Sequence, residues 1–210
     1  MGQYYKPIIL AKKRGRFEKI LAWVYSHDIE FTFKRQDGTS CTIGHGLKLM
    51  EHSWRKNDFV QAFETLIADN PQRVVWAGDY ADNEPGRKET YISERKDELG
   101  RIVKKRVKED VNLYGLCEDN TKRIPKARAK EYRFIINHTK GVFVDKRKGA
   151  KDNDGWQIHP LPLLTCEGNG RGGGDFRGES SLIGMWARDV ISVSDTKPKD
   201  FEELIFDLVE

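Results

Sequence analysis

From Glu167 to Gly178 the chain runs Glu-Gly-Asn-Gly-Arg-Gly-Gly-Gly-Asp-Phe-Arg-Gly, with six glycines among the eleven residues from Gly168 to Gly178. Glycine loses more backbone entropy on folding than any other residue and packs nothing. A run this dense serves either to take positive φ at several places or to let something approach the backbone closely. Successive bare amides can turn inward as an anion nest, and an arginine beside them adds a bidentate, charge-assisted grip. Asn169, Gly170, Arg171, Gly172, Gly173, Gly174, Asp175 and Arg177 are therefore candidate ligand-binding residues, for a phosphorylated or nucleotide-like molecule. Glu167 and Asp175 would hold the arginines in place or bind a metal. The bland alternative is a surface loop whose glycines only make turns.

Two further groups carry chemistry-bearing side chains. Asp79, Asp82 and Glu84 follow a short apolar run. Carboxylates at a strand end suit a divalent cation in phosphoryl chemistry, so Asp79 and Asp82 are candidate metal ligands. Solvated acids in a polar turn are the competing reading. The histidines His27, His45, His52, His138 and His159 all fall near turns or element ends. His138 and His159 are candidate catalytic acid–base groups, because imidazole titrates near neutral pH. For each histidine taken singly a structural or surface role is the favoured reading, and catalysis gains weight only where two of them converge on the glycine run. HExxH and GxSxG are both absent, and Ser180-Ser181 is a weak nucleophile candidate. The paired HxT/HxS pattern of two-histidine phosphoesterases is not met, since Thr139 and Ser53 directly follow their histidines.

The elements that must position these groups follow from composition and periodicity. A chain of 210 residues suits a single domain, residues 1–210, with its own core. Charged residues make up 33% and aromatics 10%, which predicts a compact fold with a heavily charged surface or appendage rather than disorder. Charge is uneven. From Glu84 to Lys130 there are fourteen Lys/Arg against nine Asp/Glu; from Asp195 to Glu210 there are six acids against two lysines. The basic lobe admits nucleic acid or a solvated element. Cys41, Cys117 and Cys166 form no CxxC and are expected as buried thiols in a reducing compartment. No apolar run approaches the length of a membrane span and no signal core opens the chain, so no membrane partner and a cytoplasmic location are expected.

Tyr4–Leu10 is expected as a strand, placed at a sheet edge by Pro7. Phe17–Tyr25 is expected as a second strand. Ile29, Phe31 and Phe33 alternate with polar residues, turn at Asp37-Gly38 and return through Thr39–Ile43 as a hairpin. Leu47–Trp54 and Phe59–Ala68 are expected helices, the second capped by Asp58 and stopped at Asn70-Pro71. Arg73–Ala77 is a short buried strand. Residues 83–111 form a charged insertion. It would be either a helix over Lys88–Leu99 or a hairpin pairing Thr90–Ile92 with Ile102-Val103; apolar residues too sparse for a helix face favour the hairpin. Leu113–Cys117 suits a helical turn. Tyr132–Asn137 and Val142–Asp145 form a hairpin around His138–Gly141. Ile158–Thr165, with two prolines, is expected to be extended at an edge. Arg188–Val193 is a strand, and Phe201, Leu204, Ile205 and Leu208 mark a final helix capped by Asp200. Trp54, Trp76, Trp156 and Trp186 are expected to fill the core. Strands and helices do not alternate regularly, which predicts an α+β fold: a mostly antiparallel sheet, a few helices and a projecting charged insertion.

The runs Gly2-Gln-Tyr-Tyr5, Gly46-Leu-Lys-Leu-Met-Glu-His-Ser-Trp54, Trp76-Ala-Gly-Asp-Tyr-Ala-Asp82, Asn137-His-Thr-Lys140 and Ile158-His-Pro-Leu-Pro-Leu-Leu through Gly174-Asp175 resemble a family of uncharacterised small proteins from bacterial and viral genomes. The resemblance covers most of the chain outside the 83–111 insertion and implies no activity. P-loop and dinucleotide-fold patterns are absent, and a single Arg-Gly-Gly is too little for an RGG segment. Three functions stay open. The first is a protein that binds a phosphorylated or nucleotide-like ligand at the glycine–arginine run and hydrolyses or transfers it, with or without a divalent metal. The second is a nucleic-acid-binding protein using the basic 84–130 lobe. The third is a virus-encoded inhibitor, without catalysis, that docks on a protein partner through residues 84–110.

Overall fold

The computed structural model describes residues 3–12, 19–24, 31–34, 40–43, 48–117, 129–168 and 180–209, with backbone only for 31–34 and 40–43. The glycine–arginine residues Asn169–Asp175 and Arg177, as well as His27, His45 and the Asp37-Gly38 turn, lie outside the described residues. The fold is α+β and dominated by a mainly antiparallel sheet.

That sheet has eight strands. They are β1 (Tyr5–Leu10), β2 (Ile20–Trp23), β5 (Gln72–Gly78), β8 (Phe134–Asn137), β9 (Val142–Asp145), β10 (Cys166–Glu167), β11 (Val190–Ser194) and β12 (Glu202–Glu203). In between come the separate hairpins β3 (Phe31–Lys34) with β4 (Ser40–Ile43) and β6 (Lys88–Lys96) with β7 (Ile102–Asp110). The order across the large sheet is β12-β9-β8-β11-β5-β1-β2, with β10 also on β5. Among the described strand pairs only β10–β5 and β12–β9 are parallel.

β5 is the spine. Its successive side chains point to opposite faces. Val74 and Trp76 enter the main core, while Val75 and Ala77 enter a second cluster with Ile8, Leu10, Trp23 and Leu113. Three helices cover the first face: α1 (Leu49–His52), α2 (Asp58–Ile67) and α3 (Pro160–Thr165). In α2, Asn57 is the N-cap, its side chain accepting from the Phe59 and Val60 N–H groups. The cap therefore falls one residue before the expected Asp58. Phe59 and Phe63 meet the buried Trp76 ring edge to face, at centroid separations of 6.1 and 5.0 Å.

Four expectations are corrected. Strand β1 lies inside the sheet, between β5 and β2. Pro7 is tolerated because it faces Val24, one residue past the end of β2, so a terminal ladder bond is all that is lost. Residues 160–165 form helix α3 rather than an extended edge. Both prolines fall in its first turn, where their missing N–H groups need no partner, and His159 Nδ1 accepts from the Leu161 N–H at 3.2 Å. Residues 201–209 form no helix: Asp200 adopts φ 62° and Glu202–Glu203 pair with β9. Leu204, Phe206 and Leu208 face the main core at period two, with Ile205 and Val209 outward. The sheet edge decided between two periodicities that the same residues satisfy. Finally, Trp156 is 59% exposed, although Trp76 and Trp186 are core residues as expected. The Asp152 carboxylate accepts from the Asp154 and Trp156 N–H groups, and this turn props the indole edge-on against Trp54.

Candidate functional site

The 83–111 insertion is a ribbon of two nine-residue strands, β6 and β7. Its register runs from Lys88↔Asp110 to Lys96↔Ile102, so Thr90 faces Lys108 and Ile92 faces Arg106 rather than Ile102-Val103. The tip is tightly built. The Asp97 carboxylate accepts from the Leu99 and Arg101 N–H groups, both at 2.9 Å, and from Arg101 Nε at 2.8 Å. Gly100 takes φ 75°, which glycine alone adopts without strain. At the root, Val111 accepts from the Glu84 N–H, and the Asn112 amide donates to the carbonyls of Asp79 and Ala81.

Directly opposite residues in an antiparallel pair share a face. One face of the ribbon carries Lys88, Thr90, Ile92, Glu94 and Lys96 with Asp110, Lys108, Arg106, Lys104 and Ile102. That is five cations against two acids, a net of +3. Lys88 pairs with Asp110 at 3.6 Å and Lys104 with Glu94 at 2.5 Å. Among the described residues no ion pair engages Lys96, Arg106 or Lys108. The other face holds Glu89, Glu109, Arg95 and Lys105 and is neutral. Its Tyr91 hydroxyl donates to Glu109 at 2.6 Å. Ile92 on the basic face is 63% exposed and Leu99 at the tip 76%.

The root of the ribbon meets the start of the glycine run at one side chain. Arg188 grips Glu167 with both a 2.8 Å bond from Nε and a 2.6 Å bond from Nη2, and it also pairs with Glu84. Burial disfavours the guanidinium charge, but the two carboxylates outweigh it and hold Arg188 above its ordinary pKa. Arg188 itself adopts φ 67°, an uncommon conformation for a residue with a Cβ. Nothing in the sequence marked Arg188, because Glu84 is 104 residues away and Glu167 is 21. Only the topology, which lays β10 beside β5, brings them together.

Asp79 accepts from the Tyr4 N–H at 3.1 Å and lies beside the ribbon root; Asp82 is exposed. Among the described residues no cluster of three or more His, Cys, Asp or Glu side chains could hold a metal ion. His138 is exposed on the β8–β9 turn; its Nε2 lies 2.8 Å from Ser192 Oγ and its ring stands edge-on to Phe201. Partial burial lowers its pKa. His159 lies elsewhere, sealed in the core with Lys146 and Glu64, all three side chains at zero exposure. Lys146 Nζ reaches the two Glu64 oxygens at 2.6 and 2.9 Å, and His159 Nε2 is 3.4 Å from Glu64 Oε1. Burial alone would raise the Glu64 pKa; the Lys146 ammonium and His159 override it and hold the carboxyl below its usual range. Burial and the same ammonium lower His159. His52, also buried, accepts from the Trp76 indole N–H at 2.7 Å, and burial pushes it down to about 3.

No described helix is long and apolar enough to cross a membrane. No protein-family model, no curated protein and no solved structure matches this chain.

Proposed function

We propose that this protein binds nucleic acid through the β6–β7 ribbon. The segregation of charge carries the reading: a solvent-exposed face of net +3 opposite a neutral one. Lysine and arginine fixed at strand spacing neutralise successive phosphates, and the counterions they release drive the binding. The tight tip and anchored root keep the face in shape without a partner. In the sequence, Lys122, Arg123, Lys126 and Arg128 belong to the same basic 84–130 segment. Burial pushes the thiols of Cys117 and Cys166 up to about 12, which suits inert cysteines and a cytoplasmic location.

A second reading places a phosphorylated or nucleotide-like ligand at the glycine–arginine run. It is supported by the fixed start of that run, where Glu167 is buried, paired in β10 and held by Arg188. With Arg188 committed to Glu167 and Glu84, the grip on phosphate falls to Arg171 and Arg177.

One titration separates the readings. A fluorescent mixed-sequence oligonucleotide is titrated with protein across a range of salt concentrations. On the ribbon reading, log affinity falls linearly with log salt by about 0.9 per phosphate contacted, and Arg171→Ala with Arg177→Ala changes little. On the second reading ATP displaces the oligonucleotide and the Arg171/Arg177 variant no longer responds to it. A flat salt response rules the ribbon out.

A further inference from the structure

We propose that the β6–β7 ribbon docks in the major groove of B-form duplex DNA, with its Arg106–Ile92 face toward the base edges. This rests on the nucleic-acid reading above and narrows it to one partner. Size is the first argument. Strands in a pair lie about 4.8 Å apart, and the major groove, about 12 Å wide, admits a two-stranded ribbon. Strands of nine residues extend about 30 Å at roughly 3.3 Å per residue, close to one turn of the duplex at about 34 Å.

The side chains on the basic face give the second argument. Proteins that hold single strands stack successive bases on aromatic rings. This face has no aromatic residue; Tyr91, on the opposite face, is bonded to Glu109. What stands at mid-ribbon is Arg106 directly across from Ile92. A guanidinium matches the guanine O6/N7 edge, and an exposed aliphatic group suits a thymine methyl. Lys96 near the tip and Lys108 towards the root flank this pair, where backbone phosphates border the groove. The neutral face, with Glu89 opposite Glu109, would then turn away from the phosphates. Duplex RNA is disfavoured, because its A-form major groove is too deep and narrow for side chains to read.

The test uses the full chain and three labelled probes of about two helical turns: duplex DNA, one of its strands alone, and the same sequence as duplex RNA. Duplex DNA is expected to bind at least about tenfold tighter than the other two. The major-groove dye methyl green should compete, and the minor-groove ligand netropsin should not. Lys96→Ala with Lys108→Ala, with unchanged circular dichroism, should reduce the log–log salt slope by about two, whereas Arg106→Ala should weaken binding with little change of slope. Glu89→Gln with Glu109→Gln should not weaken binding. Equal or tighter binding of the single strand or of duplex RNA overturns groove docking while leaving nucleic-acid binding standing. Binding to none of the three at low salt overturns both, and leaves the ribbon as a surface for a protein partner.

Discussion

Among the described residues His52 and His159 are sealed in the core and held neutral, and that makes stability depend on pH. Burial pushes His52 down to about 3, and burial with the Lys146 ammonium lowers His159. In the unfolded chain both return to about 6.5. As pH falls below that value the unfolded state therefore binds protons first, and stability is lost. Above about pH 6.5 the contribution is complete; below it each histidine costs about 1.4 kcal/mol per pH unit until its folded pKa is reached. Glu64, held low by Lys146, adds a further loss only below the ordinary carboxyl range, about 4.3. Urea midpoints should thus fall steadily from about pH 6.5 to about pH 5. His52→Gln keeps an acceptor for the Trp76 indole and should make that slope shallower. An unchanged slope in the variant would contradict the assignment.

At the scale of elements, Lys146, Glu64 and His159 join the segment after β9, helix α2 and the cap of α3 through one buried ion pair. Lys146→Met leaves Glu64 buried without its counter-charge and should cost about 3–5 kcal/mol. Lys146→Met with Glu64→Leu removes both charges and should recover most of that loss in urea unfolding. An equal cost for the single and double variants would show that the pair is not what Lys146 supplies. The hairpins were legible from alternation and turn residues, as in Tyr132–Asp145, because those signals are local. The ribbon was legible as a hairpin, but its register was not, since Gly100 alone does not fix the turn; the Asp97 side chain does. Residues 158–165 and 201–208 misled for a shared reason. Proline position and apolar period each admit two backbones, and a long-range partner chose between them: the capping ring of His159 for one, the open edge of β9 for the other. The meeting of Glu84, Glu167 and Arg188 left no trace in spacing at all.

For the whole molecule, the sheet and its helices make one body, and the ribbon stands off it. Most ribbon side chains are exposed on both faces. An isolated two-stranded hairpin is marginal in water, so this one depends on its Asp97 tip and its Asn112 root and returns little stability to the core. Arg87 and Val111 already face each other across the root, with the Val111 N–H bonded to the Arg87 carbonyl. Replacing residues 88–110 by two glycines should therefore shift the melting midpoint by less than about 3 °C while abolishing nucleic-acid binding. A collapse of the fold in this variant would mean that the ribbon is a structural member.

The last residues of the chain have a different consequence. Their short parallel pairing along β9 occupies one outer rim of the sheet, with the Glu202 and Leu204 N–H groups bonded to the Gly141 and Phe143 carbonyls. An open rim of that kind invites a strand from another molecule, the route by which sheets grow into aggregates. The tail fills that place with the molecule's own backbone and lines it with acids at Glu202, Glu203 and Asp207, so on that side the sheet keeps a fixed number of strands even when the protein is concentrated.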